Sequence, residues 1–320
     1  MDRITKGTGQ ELQAEPGNKR PWIGVGLVLA SALGFSSSIV IASVMIRQGV
    51  GVNTSNAVRF LVATMLLFLC QKAAGRPVAL SPRERYAALG LGITVFVMGI
   101  GYLGATKYIP VSMAVLIFYT GPIFTLFVSR FTEQEPITLV RLAADFIAFL
   151  GLSFALGIHP LSISEVRGVL SALSGAIGMA AFVTIGSLTI RDVDPQAVNL
   201  HSLFGGTVLF LLFLFFGADP ARGLTAINLM GLCGSGVAIG FAYVAFYAGL
   251  KMIGPVKASM LLNTEPIFTI TSAAFILGEK LSYIKFIGAG LVILGIILIN
   301  CKFAGRPISS RTIAKGIKEE

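Results

Sequence analysis

Residues 251–279 read KMIGPVKASMLLNTEPIFTITSAAFILGE: a basic edge, a long apolar run, Glu265-Pro266 in its middle and an acidic end. Residues 107–135 read KYIPVSMAVLIFYTGPIFTLFVSRFTEQE. Laid together without a gap at an offset of 144, the two stretches share Lys107/Lys251, Ile109/Ile253, Ala114/Ala258, Thr120/Thr264, Pro122/Pro266, Ile123/Ile267, Phe124/Phe268, Thr125/Thr269 and Glu135/Glu279. Apolar text matches itself by chance, so the polar and proline agreements carry the weight. The same offset relates Ala32, Gly34, Ile41, Ser43, Ile46 and Arg47 to Ala176, Gly178, Ile185, Ser187, Ile190 and Arg191. A repeat spanning nearly half the chain decides the architecture before any motif does.

Composition names the solvent. Hydrophobic residues make up 55% of the 320 and charged residues 12%, against roughly 25% charged in soluble domains. Mean hydropathy is +0.83. Such a chain lacks the polar surface to cover a water-soluble globule, so its solvent is lipid. The net charge of +10 does not point to nucleic acid, because the basic residues sit in the gaps between apolar runs, where membrane topology places them. Cys70, Cys233 and Cys301 are scattered and show neither a disulfide framework nor metal-ligand spacing. No metal or cofactor is expected.

After a polar tail at 1–20, ten apolar segments follow at approximately 22–46, 52–71, 86–106, 110–130, 137–157, 167–190, 195–217, 225–250, 255–277 and 281–301. Each approaches the ~20 residues that a helix needs to cross the hydrocarbon layer. Helices satisfy their own backbone in lipid, and the runs lack the alternation of barrel strands. The expected fold is therefore an all-α integral membrane protein of ten transmembrane helices, with five-helix repeats at 21–157 and 165–301 and a basic tail at 302–320. Ala30-Ser31-Ala32 resembles a signal-peptide cleavage site, but the apolar text runs on to Ile46 and has a copy in mid-chain, so this helix is expected to belong to the mature fold.

Lysines and arginines orient the helices. With the N-terminus inside, Lys72, Arg76, Arg83, Arg85, Arg130, Arg191, Lys251 and the basic residues of both tails fall on the cytoplasmic side, while Arg47, Lys107, Arg167, Arg222 and Lys280 fall outside. That bias predicts both termini in the cytoplasm of a cell with a bacterial-type inner membrane. Five is odd, so the second repeat enters the bilayer upside-down relative to the first. Inverted repeats build secondary transporters, because two similar halves of opposite sense give two near-equivalent states, one open to each side.

The tandem five-helix units resemble the EamA-type family of the drug/metabolite transporter superfamily, whose units carry a central proline in the fourth helix and a Glu or Gly-Glu soon after. Here these are Pro122 with Glu135, and Glu265-Pro266 with Gly278-Glu279. The resemblance covers about 22–301. Two positions depart from it: Phe35 follows Gly34 where a Trp is common, and Glu135 lacks a preceding Gly. The resemblance implies export or uptake of small solutes.

Several groups within the apolar text bear on chemistry. Glu265 lies about 10 residues into the ninth segment, roughly 15 Å deep, where burying a charge costs ~2.5–3.5 kcal/mol or more. It is read as a proton carrier or a ligand for a solute ammonium, with helix pinning by hydrogen bonds as the plainer reading. Pro122 and Pro266 remove the amide donors that would bond the carbonyls of Phe118 and Leu262; such freed carbonyls bind solutes or merely mark a kink. Tyr119, Thr120, Asn263 and Thr264 flank the kinks and can hydrogen-bond a ligand, Asn263 best of all.

Arg59 lies about 7 residues into the second segment, and its local text aligns with Asn199 at an offset of 140. It is a clamp for anionic solutes, or else a snorkelling or Asp-paired structural residue. Arg141 and Asp145, four apart, neutralise each other on the fifth helix. Tyr243 and Tyr247 share a face of the eighth helix and line the cavity. Gly236 and Gly240 form a face for close packing. Lys107 and Lys251 anchor helix ends at opposite surfaces, His201 reads as a packed histidine, and Trp22 and Tyr86 suit the headgroup belt.

No G-x-S-x-G, H-E-x-x-H or Walker A text appears, which argues against an intramembrane enzyme. The expected function is secondary transport, as an exporter of small metabolites by alternating access and coupled to protons through Glu265. The expected partners are a small-molecule solute, the bilayer and protons; no nucleic acid is expected, and the carrier is a monomer or homodimer. The alternative is a non-transporting scaffold or lipid-carrier translocase, although those usually come as single repeats that dimerise.

Overall fold

Chain segments with so few polar side chains can hide their backbone only by coiling, and every regular element among the described residues is a helix. The computed structural model describes residues 21–76, 78–121, 124–125, 143, 146–147, 150–151, 154, 162–189, 194–216, 223–279 and 283–303. In chain order the helices are α1 (Pro21–Arg47), α2 (Val52–Ala73), α3 (Pro82–Gly90), α4 (Gly92–Ala105), α5 (Val111–Phe118), α6 (Ile163–Thr189), α7 (Pro195–Phe215), α8 (Ala226–Ile253), α9 (Pro255–Leu262), α10 (Glu265–Leu277) and α11 (Tyr283–Phe303).

Among the described residues, six stretches are long and apolar enough to cross a membrane: Pro21–Arg47, Val52–Ala73, Pro82–Ala105, Ile163–Gly186, Pro195–Phe215 and Ala226–Ile253. They coincide with the first, second, third, sixth, seventh and eighth of the ten expected segments. The ninth is divided into α9 and α10, the fourth is described mainly as α5, and the tenth is α11. The segment at 137–157, with Arg141 and Asp145, lies largely outside the described residues.

Local chemistry sets the boundaries. Ser81 and Glu84 close a capping box ahead of α3, with the Glu84 carboxylate accepting from the Ser81 amide at 3.0 Å and the Ser81 hydroxyl accepting from the Glu84 amide at 3.4 Å. Pro82 occupies the first turn, where its missing donor is harmless. Capping starts this helix four residues before the expected 86. Asp194 likewise accepts the Gln196 amide at 2.9 Å, just before Pro195 opens α7. Gly278 ends α10 in the left-handed conformation, φ +64°.

The helices pack in reciprocal pairs. α1 lies against α8, and α4 against α6; α2 lies against both α7 and α8, and α4 also packs on α7; α1 meets α9, and α5 meets α6. Exchanging first-half and second-half helices of equal rank maps these pairings onto one another. The glycines at the contacts keep the same register. A Cβ placed on Gly24 would sit 2.6 Å from Cγ2 of Ile253, and one on Gly168 would sit 2.6 Å from Cγ2 of Ile109. A Cβ on Gly34 would meet the Ala238 carbonyl oxygen at 2.9 Å, and one on Gly178 the Thr94 carbonyl oxygen at 3.2 Å. Each pair is displaced from its counterpart by the same 144 residues. Gly236 is backed by the Arg59 carbonyl and Val62, and Gly240 by Ala63 and Leu66, so the expected small-residue face of α8 is where it lies on α2.

Phe60, Leu67, Val95, Leu203, Phe210 and Ile239 form one apolar core between α2, α4, α7 and α8. A second, of Val115, Leu116, Phe118 and Tyr119 with Ile270, Ala289 and Val292, joins α5 to α10 and α11. Trp22 and Tyr86 are each 69% exposed, as the headgroup belt requires.

Candidate functional site

The two copies of the repeated stretch break at the same place. α5 spans 111–118 and α9 spans 255–262, and 144 residues separate both their starts and their ends. At each break a threonine turns back on its own helix: Thr120 Oγ1 donates to the Ile117 carbonyl at 2.6 Å, and Thr264 Oγ1 to the Leu261 carbonyl at 2.7 Å. These hydroxyl hydrogens, expected to be available to a ligand, are already engaged within the chain. Pro266 is not a kink inside a continuous helix, as the sequence suggested. The helix stops at Leu262, four residues earlier, and Pro266 stands in the first turn of α10, a position that needs no amide donor. Pro122 lies outside the described residues.

The breaks meet through one hydrogen bond. Tyr119, at the end of α5, donates its hydroxyl to Oε2 of Glu265 at 2.7 Å. Glu265 opens α10 and is 8% exposed. A carboxylate in the first turn of a helix is favoured by the local amide dipoles. Asn263, within the second break, keeps a buried Nδ2 with no partner among the described residues. Tyr102 stacks on Phe118 with ring centroids 4.4 Å apart, and Tyr243 meets Phe35 edge-on at 4.9 Å. Both Tyr102 and Tyr243 stand within electrostatic range of Glu265 and of Arg59. Phe35, where the resembled family often has Trp, thus packs against Tyr243.

Arg59 is brought to the same neighbourhood from α2. It is 4% exposed, with Nη1 donating to Asn56 Oδ1 at 3.2 Å and Nη2 to Ser38 Oγ at 3.0 Å. Ser38 and Ser235 hold α1 to α8 by mutual bonds: each hydroxyl donates to the other residue's carbonyl, at 2.8 and 2.7 Å. Arg59 and Glu265 thus have Tyr102 and Tyr243 as common neighbours, with Tyr119 bonded to Glu265 and Asn263 two residues before it in the chain. Tyr247 does not join this group directly; its electrostatic neighbours are Tyr243 and Asp194, toward the end of α8 where Lys251 pairs with Asp194 at 3.7 Å.

Reading the sequence missed Tyr102, Asn56 and the Ser38–Ser235 pair. A signal for Asn56 was present: the run Asn53-Thr54-Ser55-Asn56 opens an otherwise apolar helix, and all four are buried. It also missed a second polar node at the far end of α10. There the Glu279 carboxylate accepts from the Val111 amide at 2.7 Å, the Ser112 amide at 3.1 Å, the Ser112 hydroxyl at 2.8 Å and Arg47 Nη2 at 2.9 Å. The signal was the Glu135/Glu279 agreement, which marked a position but not a partner. Lys107 lies at this same surface beside Tyr108. His201 binds the Ala197 carbonyl through Nδ1 at 2.9 Å, a local helix contact. Among the described residues no three His, Cys, Asp or Glu side chains are grouped to hold a metal.

Known transporters resemble this chain in sequence. The uncharacterized transporter YoaV of Bacillus subtilis (strain 168) is 27% identical over 224 residues, covering 68% of this chain and 77% of that protein. The uncharacterized inner membrane transporter YedA of Escherichia coli (strain K12) is 24% identical over 274 residues, covering 82% and 87%. A solved crystal structure superposes with a TM-score of 0.61 at 18% identity, covering 88% of this chain and 99% of that one, so the fold is shared. The family model for EamA-like transporters matches twice, at 22–157 and 166–301. With both halves matched, the chain belongs to the EamA-like transporter family, multi-pass membrane proteins that move small solutes.

Proposed function

We propose that the protein is a secondary active exporter of small metabolites that works by alternating access. Two five-helix halves of opposite sense rock against each other, and the meeting of the α5 and α9–α10 breaks is the place where solute is held. The observation that carries this reading is the register of the two breaks, one from each half, joined by the Tyr119–Glu265 hydrogen bond. Broken helices at mid-membrane expose backbone polar groups where a cavity can use them. Residues 21–157 and 165–301 act as the halves of ten spans, with both termini in the cytoplasm, in a monomer or homodimer.

Glu265 is the proton-responsive group of the cycle. Its support is a carboxylate in the membrane interior whose bonded partner is a neutral phenol, an arrangement in which gaining or losing a proton changes the electrostatics of the whole site. Purified protein in proteoliposomes, given a pH gradient and a mixture of labelled metabolites, tests the reading. Wild type accumulates or releases solute with the gradient, and Glu265→Gln retains counterflow but no longer responds to the gradient. Unchanged gradient dependence in Glu265→Gln removes this residue from coupling, and absence of saturable counterflow in wild type removes the carrier.

A further inference from the structure

Arg59 was open to three readings: snorkelling to the surface, pairing with an acid, or clamping a solute. Its geometry rules out the first, since the side chain is buried about 10 Å from the start of α2. Among the described residues no carboxylate pairs with it. Its two terminal nitrogens go to neutral oxygens, and Phe60 lies beneath the guanidinium, 6.0 Å from carbon to ring centroid. Among the described residues the third nitrogen, Nε, is buried with no partner, and so is Nδ2 of Asn56, whose oxygen holds Arg59 Nη1. Buried polar groups are nearly always satisfied, so a pair of unmet donors side by side points to a ligand. Here both unmet atoms are N–H donors, they belong to hydrogen-bonded neighbours three residues apart on one helix, and one of them is part of a cation. Two donors beside a fixed positive charge suit an oxygen anion, which accepts two hydrogen bonds at once.

We propose that the transported solute carries an oxyanion, a carboxylate or a phosphate, and that it docks on Arg59 Nε and Asn56 Nδ2. The proposal rests on the carrier reading for the word transported, but not for the binding site. Ser38 and Asn56 hold the guanidinium in place, and the Ser38–Ser235 bonds fix that support between α1 and α8. Tyr102 and Tyr243 lie near both this anchor and Glu265, and their rings flank the body of the solute.

Binding is read without transport. Purified wild-type protein in detergent is titrated with acetate, benzoate, inorganic phosphate and phenyl phosphate at constant ionic strength, with acetamide and benzamide as neutral counterparts, and the apparent Tm is followed. A saturable rise with at least one anion, and none with its neutral counterpart, is expected, since a ligand that binds the folded state stabilises it. Carboxylates alone or phosphates alone raising Tm decides which oxyanion. Arg59→Gln weakens the apparent affinity roughly ten- to hundred-fold, as loss of a charge-assisted bond does. Arg59→Lys, which keeps the charge and loses the fork, lies between, and serves if the glutamine variant does not fold. Saturable stabilisation that Arg59→Gln and Arg59→Lys leave unchanged, or no stabilisation by any anion, overturns the proposal. A counterflow screen in the same preparation separates the two readings: neutral or cationic solutes moving alone refute the oxyanion anchor and leave the carrier intact, whereas anion-dependent stabilisation without any counterflow does the reverse.

Discussion

Replacing Glu279 by Gln separates two effects that meet at one carboxylate. Glu279 tips the start of α5, accepting from the Val111 amide, the Ser112 amide and the Ser112 hydroxyl, and it also pairs with Arg47. A glutamine has one acceptor oxygen. Whichever way its amide turns, an NH2 faces donors, so about two of the four bonds are lost. Hydrogen bonds to a charged acceptor contribute roughly 1.5–3 kcal/mol each; with partial rearrangement the expected loss is about 2–4 kcal/mol. The ion pair is a smaller matter. The Arg47 side chain is 42% exposed, and solvent-screened pairs contribute about 0.2–1 kcal/mol. Apparent Tm, measured in one detergent at one scan rate, should fall by about 4–16 °C for Glu279→Gln and by less than about 4 °C for Arg47→Gln, at roughly 2–4 °C per kcal/mol. An Arg47→Gln loss equal to or larger than that of Glu279→Gln would show that the charge pair, not the helix start, holds the node together.

Other outcomes follow from single contacts. Tyr119→Phe removes the hydrogen bond to Glu265 and costs about 1–3 kcal/mol, read as a Tm loss that Tyr108→Phe at the exposed surface does not share. Gly34→Ala drives a methyl to within 2.9 Å of the Ala238 carbonyl oxygen and costs roughly 1–3 kcal/mol, while Gly26→Ala, with nothing within 4 Å of the added atom, gains up to about 1 kcal/mol of helix propensity; equal effects on Tm would contradict the α1–α8 packing. Gly278→Ala forces a side chain into φ +64° and costs about 1–2 kcal/mol, again seen as a lower Tm.

The membrane-spanning character and the helix order were legible because burial in lipid is a property of long averages, which survive local error. The repeat was legible for a different reason: polar and proline matches at one offset are rare in apolar text. Two local features were read less well. At Pro266 the missing amide donor was visible, but where the helix gives way was not, because the turn is set by Thr264 bonding back to Leu261, an event with no marker in residue type alone. Arg59 stood out as a cation in apolar text, yet its fate depended on Asn56 and Ser38, and the latter reaches it from another helix. Glu279 was visible as a repeated acid, whereas its partners Val111 and Ser112 contribute backbone amides, which every residue has.

The Tyr119–Glu265 bond and the Glu279 node lie at opposite ends of α10, about 20 Å apart along the helix. A tilt of one half by about 10° around the interior bond leaves that bond almost unstretched, while it carries the far end through about 3.5 Å at this lever arm. Every contact of Glu279 is shorter than that displacement. On the alternating-access reading proposed above, the interior bond serves as a fulcrum and the Glu279 node at the rim as a catch that has to let go when one half tilts.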